Sequence, residues 1–206
     1  MELSKAGADL LGENEAGLLL ALSRLTRGVS GREVTRLAGV RSLTSAQRAL
    51  ARLVDIGIVT AEESTHATLY RLNRGHILWT PVEQILASPA TIAEEIGKIV
   101  QDRAGNSVTA ALFGSVARGD AARGSDIDLA LILADDFPAA DRESLVDELH
   151  DRVEPYTGNP LQVFDVTRSE LNRMLAEDDP LVRSWANDSQ TIAGTDLSTI
   201  IAEAAR

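Results

Sequence analysis

Residues 107–133 constrain the fold of this chain more than any other stretch. Ser107–Phe113 (SVTAALF) is short and apolar at nearly every position, the pattern of a buried strand. It runs straight into Gly114-Ser115-Val116-Ala117-Arg118-Gly119, and a second strand, Asp126–Leu133 (DIDLALIL), follows at once. Ten residues separate Gly114-Ser115 from Asp126-x-Asp128. Side chains alternate along a strand, so Asp126 and Asp128 point to one face while Ile127, Leu129, Leu131 and Leu133 face helices on the other. Two carboxylates this close repel each other unless cations stand between them.

The spacing, the flanking strands and the Arg118-Gly119 pair together resemble the signature of the DNA polymerase beta-like nucleotidyltransferases, above all their minimal, prokaryotic branch. The resemblance covers about residues 90–195. It implies a mixed sheet packed on helices, Mg²⁺ held by Asp126 and Asp128, and transfer of a nucleoside monophosphate to a hydroxyl with loss of pyrophosphate, ATP being the expected donor. Asp126 and Asp128 are then catalytic, and Gly114, Ser115, Arg118 and Ser125 form the nucleotide site. Gly114 lets a phosphate approach the backbone with no Cβ in the way, and Ser115 adds a hydroxyl and an N–H. Arg118, about one turn on, reaches phosphate oxygens, and Ser125 orders the loop ahead of Asp126. Gly119 and Gly124 are read as turn residues. Active relatives carry a third acid on a later strand. Here that strand is Leu161–Val166 (LQVFDV), where Asp165 is the only acid. Relatives read V-D-L-V before a Thr, and that pattern laid on Thr167 puts Phe164 where the acid belongs. Two arrangements stay open: a bulge or shorter turn brings Asp165 into the catalytic set, or the third acid is missing.

Charge divides the chain. Arg24 to Gly75 carries nine arginines against four acids, a net of +5, whereas His76 to the end carries ten basic and 23 acidic residues, a net of −13. Such a division suggests two modules with different partners. In the basic one, Glu15–Leu25 reads as a helix. Ser30 and Glu33 have capping-box spacing ahead of a short helix closing at Gly39. A third helix, capped by Thr44 or Ser45, runs to about Ile56 and buries Ala46, Ala49, Leu50, Leu53 and Val54, with Ser45, Arg48 and Arg52 opposite. Ile58–Thr60, a polar turn through Glu62–Thr65 and Ala67–Leu72 read as a two-stranded wing. Over about residues 12–75 this resembles the winged helix-turn-helix of bacterial transcription regulators. The resemblance implies Ser45, Gln47, Arg48 and Arg52 as major-groove contacts, Arg71 and Arg74 near DNA phosphates, and a homodimer if a two-fold site is read. A winged helix used only for protein contacts, its arginines solvated, is the alternative.

The expected organisation is α+β: a winged helix-turn-helix domain at 1–75, a connector at 76–88, and a nucleotidyltransferase domain at 89–206. In the connector, Ile77, Leu78, Trp79, Val82, Ile85 and Leu86 are expected to be buried on a short helix, and Ser88-Pro89 to start the next one. Trp185 is expected to pack under the C-terminal segment, and Asp135-Asp136 to form a solvated loop. The absence of cysteine excludes disulfide scaffolds, thiol nucleophiles and Cys-based metal sites. His66, His76 and His150 lack metal-ligand spacing. With no apolar run of membrane-spanning length and an acidic N-terminus unlike a signal peptide, a soluble, cytoplasmic protein with no membrane partner is expected.

Three functions are compatible with these features. The first is a Mg²⁺-dependent enzyme that transfers AMP from ATP to a hydroxyl of a partner protein. The resemblance to minimal nucleotidyltransferases suggests an antitoxin acting on a cognate toxin and, through its winged helix, repressing its own operon. The second is a transcription regulator whose nucleotidyltransferase-like domain senses nucleotide and catalyses weakly. The third is transfer to a small molecule of the aminoglycoside type, which the acidic domain suits. An RNA acceptor is disfavoured, because a domain of charge −13 lacks a basic track.

Overall fold

The structure, a computed structural model, describes residues 6–65, 67–122 and 124–204; His66 lies outside the described residues. The chain divides at Ser88/Pro89 into two compact units.

In the N-terminal unit, α1 (Ala6–Leu11) and α2 (Glu13–Ser23) precede the two-residue strand β1 (Val29–Ser30), and α3 (Gly31–Leu37), α4 (Leu43–Ile56), β2 (Val59–Glu63) and β3 (Thr68–Leu72) follow. The Ser30 side chain accepts the Glu33 N–H and opens α3, the serine half of the expected capping box, while the Glu33 carboxylate pairs with Arg27 at 2.6 Å. The cap of α4 is Ser42, not Thr44 or Ser45: its hydroxyl accepts the Ser45 N–H at 3.3 Å. Gly57, at φ +87, ends α4 in the left-handed region. Ala46, Ala49, Leu50 and Leu53 are buried along one side of α4. Ala49, Leu50 and Leu53 join Leu18, Leu19 and Leu22 of α2 and Val34 of α3 in one core. The sheet has three strands, ordered β1-β3-β2 and antiparallel throughout. The hairpin is longer than the sequence suggests: Glu62 and Glu63 pair with Leu69 and Thr68 and so belong to the strand and not to the turn.

The helix α5 (Trp79–Ala104) corrects the expected connector: it runs unbroken through Ser88 and Pro89. Pro89 has no N–H to give the carbonyl of Ile85, four residues back. The Ser88 hydroxyl donates to that carbonyl at 2.8 Å, so the helix continues where a start was expected. Trp79 is buried with the N-terminal core, whereas Ile77 and Leu78 are exposed.

The C-terminal unit contains β4 (Val108–Phe113), α6 (Gly114–Arg118), β5 (Ile127–Leu133), α7 (Ala139–Thr157), β6 (Leu161–Thr167), α8 (Arg168–Ala176), α9 (Pro180–Asp188), β7 (Gln190–Ala193) and α10 (Leu197–Ala204). Its mixed sheet is ordered β6-β5-β4-β7, with β5 and β6 parallel and the other pairs antiparallel. All six residues of β4 are buried, and helices cover both faces. Ile127, Leu129, Leu131 and Leu133 pack with Ile96 and Val100 of α5 and Leu145, Leu149 and Val153 of α7. Ala111, Phe113, Ala130 and Ile132 pack on the other face with Leu171, Val182, Trp185, Leu197 and Ile200. Trp185 sits at 1% exposure against Phe113, ring centroids 5.9 Å apart. Asp135 corrects the expectation of a merely solvated loop: it accepts the Ser169 N–H at 2.8 Å and the Ser169 hydroxyl at 2.9 Å, fixing the first turn of α8. No helix among the described residues is long and apolar enough to cross a membrane.

Candidate active site

The antiparallel register of β4 and β5 sets Phe113 opposite Asp128, so the turn that leaves β4 begins beside the first carboxylates of β5. Gly114 sits there at φ +68, and a Cβ on it would collide with the Asp128 carboxylate. Two demands therefore converge on glycine: a left-handed backbone and room for an acid. Ser115 follows in the first turn of α6, half-buried.

Burial, and then the charge of Asp126, push the Asp128 carboxyl above its ordinary range, and Arg118 opposes them. Burial disfavours the charged form of a carboxyl, and a like charge beside it adds to that effect. The residues around Asp126 hold its backbone. The Ser125 hydroxyl accepts the Ala122 N–H at 2.9 Å and closes the loop. Asn159, 2% exposed, donates from Nδ2 to the Ser125 carbonyl at 2.9 Å. The Ile127 N–H donates to the Pro160 carbonyl at 2.9 Å. Asn159 carries no signal in the sequence beyond its place in the turn after α7.

Arg118 is exposed and shared between two carboxylates: Nε donates to Asp120 at 3.3 Å and Nη1 to Asp188 at the end of α9. Asp188 is 70 residues from Arg118 in the chain, too far for any local pattern to connect them.

Asp165 does not join Asp126 and Asp128. The parallel register between β5 and β6 is unbroken from Ile127↔Leu161 to Leu133↔Thr167, so no bulge moves Asp165 across. It pairs with Leu131, whose side chain lies in the core beneath α5 and α7. On that face the Asp165 carboxylate is bound by Arg142 of α7, which also donates from Nη2 to the Asp165 carbonyl at 2.6 Å. Phe164 faces the other way, its ring centroid 5.5 Å from that of Phe113. Among the described residues, the third strand presents Gln162 and Phe164 on the face of Asp128. Gln162 Nε2 donates to Asp126 Oδ2 at 3.1 Å.

No group of three or more His, Cys, Asp or Glu able to cage a metal gathers among the described residues. Mg²⁺ needs no such cage: it is held through one or two carboxylates together with substrate phosphates. The pair Asp126 and Asp128 fits that ion.

The residues expected to read DNA belong to the N-terminal unit. Gln47, Arg48 and Arg52 are exposed on α4, Ser45 is half-buried, and Arg71 is exposed on β3. Arg52 pairs with Glu15 at 3.3 Å. Arg74 donates to the Ser23 carbonyl and lies 6.0 Å over the Trp79 ring.

Residues 93–189 match the family described as nucleotidyltransferase domain. No curated protein matches the chain. Similar solved structures include a toxin–antitoxin with AMP-PNP, at 19% identity over 55% of this chain and 83% of that one, with a TM-score of 0.38. A tri-AMPylated Shewanella oneidensis HEPN toxin in complex with MNT antitoxin gives 16% identity over 56% and 82%, with a TM-score of 0.36. The toxin–antitoxin MntA-HepT gives 16% identity over 56% and 83%, also with a TM-score of 0.36.

Proposed function

We propose that the nucleotidyltransferase domain at residues 93–189 uses Asp126 and Asp128 to hold Mg²⁺ and transfers AMP from ATP to a hydroxyl of a partner protein. The observation that carries this is the carboxylate pair set against Gly114, whose missing side chain makes room for the Asp128 carboxylate. Gly114 and Ser115 line the approach of the triphosphate, Ser115 offering a hydroxyl and a backbone N–H. Arg118 exchanges Asp120 and Asp188 for phosphate oxygens when nucleotide arrives. Ser125 and Asn159 keep the backbone of Asp126 from drifting. Bound Mg²⁺ neutralises phosphate charge and stabilises the in-line displacement. In that displacement the acceptor oxygen forms a bond to the α-phosphorus, the bond to the leaving pyrophosphate breaks, and the hydroxyl proton is released.

A protein acceptor follows from the resemblance to minimal nucleotidyltransferases together with the charge of residues 76–206, whose net of −13 repels a nucleic-acid acceptor. We assign DNA binding to the N-terminal unit as a winged helix, through Arg48 and Arg71 with Ser45, Gln47, Arg52 and Arg74 beside them. In that reading the chain is an antitoxin that modifies its toxin and represses its own operon, as a homodimer on a two-fold site.

One observation favours a second reading. With Asp165 bound to Arg142, no base from β6 serves the acceptor hydroxyl, and a positioned base is typically worth about 10²–10⁴-fold in rate. A nucleotide-sensing regulator with little turnover needs no such base.

The test is α-phosphate-labelled ATP with Mg²⁺ and a lysate of the host, beside the D126A/D128A double variant. Label on a protein band, lost in the variant, supports protein modification. Label on small molecules would move the assignment to the aminoglycoside type. Nucleotide binding without transfer would establish the sensor.

A further inference from the structure

The strand beside the carboxylates supplies a residue with no part in the scheme above. β6 is an edge strand of the sheet, and its Gln162 is in register with Asp128. Registered partners share a face, so Gln162 stands on the side of Asp126 and Asp128, whereas Asp165, three residues on, stands on the opposite side. Gln162 is exposed, yet its amide is engaged: Nε2 donates to Asp126 Oδ2 at 3.1 Å. An amide supplies donors without charge. The nearest neighbour of the pair on this strand is thus a donor to an acid and not another acid.

We propose that Gln162 is a positioning residue for the metal site, its Nε2–H holding the Asp126 carboxylate so that the remaining lone pairs face the cation shared with Asp128. The inference rests on the reading of Asp126 and Asp128 as metal ligands. A carboxylate tethered at one oxygen loses its rotation about Cβ–Cγ before the cation arrives and so loses less freedom on binding it. Outer donors of this kind orient the ligand, and their removal typically costs about 10–100-fold in metal affinity. A donor also sets a limit that a third acid would not: the protein contributes two negative charges, and the nucleotide phosphates complete the cation's surroundings.

The test is Mn²⁺ binding to the full chain, followed by the electron paramagnetic resonance of free Mn²⁺ in the presence of a non-hydrolysable ATP analogue. Q162A is expected to weaken Mn²⁺ binding about tenfold or more, with the metal-free melting temperature unchanged because the side chain is exposed. Q162M keeps the length and loses the donor, and is expected to bind as weakly as Q162A. Affinity within twofold of the unaltered protein in Q162A, or recovery in Q162M, overturns the proposal. Failure of the underlying reading looks different: the unaltered chain and D126A/D128A would then be equally without Mn²⁺, and Gln162 would have nothing to position.

Discussion

At Gly114, Asp128 and Arg118 single side chains carry opposed demands. Gly114 combines φ +68 with a carboxylate where a Cβ would go. G114A is therefore expected to lose about 1–2 kcal/mol from the left-handed backbone alone, and the collision should also displace Asp128. Thermal denaturation reads the first effect and loss of Mn²⁺-dependent ATP binding the second. Asp128 shows the cost of burying an acid, with a second acid beside it. Its folded proton affinity is raised by burial and by Asp126, so its neutral form suits the fold and its charged form does not. Stability on this account is greatest at low pH and declines as pH rises through the raised range. D128N removes the charge, so in EDTA at neutral pH it is expected to melt above the unaltered protein, with the difference closing as pH falls below the carboxylate range. A lower melting temperature for D128N at pH 7 would contradict this account. Arg118 is the third case. Its Nη1 is occupied by Asp188, and D188N is expected to lower the KM for ATP about two- to fivefold, the scale of an exposed ion pair, with kcat unchanged. A raised KM would mean that Asp188 aims Arg118 at the nucleotide and does not compete with it.

At the scale of elements, α5 and β6 separate what a sequence can show from what it cannot. Within α5, Pro89 leaves the Ile85 carbonyl to the Ser88 hydroxyl. P89A restores the backbone donor and is expected to stabilise the chain by about 1–3 kcal/mol. S88A is expected to cost about 1 kcal/mol in the unaltered chain and less in the P89A background. Denaturation of the four proteins in this cycle measures the coupling directly. The Ser88-Pro89 pair reads as a helix start because Ser followed by Pro carries that local signal, and nothing nearby in the sequence shows that a hydroxyl replaces the missing N–H. The strands β4 and β5, by contrast, are legible, since the apolar run, the alternation and the ten-residue spacing from Gly114-Ser115 to Asp126 are all local. Asp165 is not legible. Its face depends on the pairing of β6 with β5 and on Arg142, 23 residues away, and a shift of one residue in a strand reverses the outcome. β1 escapes notice because two residues carry no period. Among the hydroxyls of Ser42, Thr44 and Ser45, only the backbone geometry selects the cap.

At the scale of the whole chain, the division of charge leads to a prediction about salt. A segment of net +5 in a chain of net −11 binds DNA only if its arginines meet phosphates closely enough to release counterions. Among the described residues proposed for that surface, the side chains of Arg52 and Arg74 already have partners within the fold: Arg52 pairs with Glu15, and Arg74 is held by the Ser23 carbonyl over Trp79. Arg48 and Arg71 are exposed on α4 and β3. R48A and R71A are therefore each expected to flatten the dependence of log K on log salt by about 0.9 if a phosphate contact is lost. R74A is expected to lower the melting temperature with a smaller change in that slope. Fluorescence anisotropy with DNA from upstream of the gene, across a salt series, reads all three, and equal slopes throughout would remove DNA from the function of this unit. The same titration with and without ATP distinguishes the two readings of the C-terminal unit. An enzyme that modifies a separate protein gives the same DNA affinity in both. A nucleotide-sensing regulator must bind nucleotide differently in its DNA-bound and free states, and linkage then requires ATP to shift DNA affinity by the same factor that DNA shifts ATP affinity.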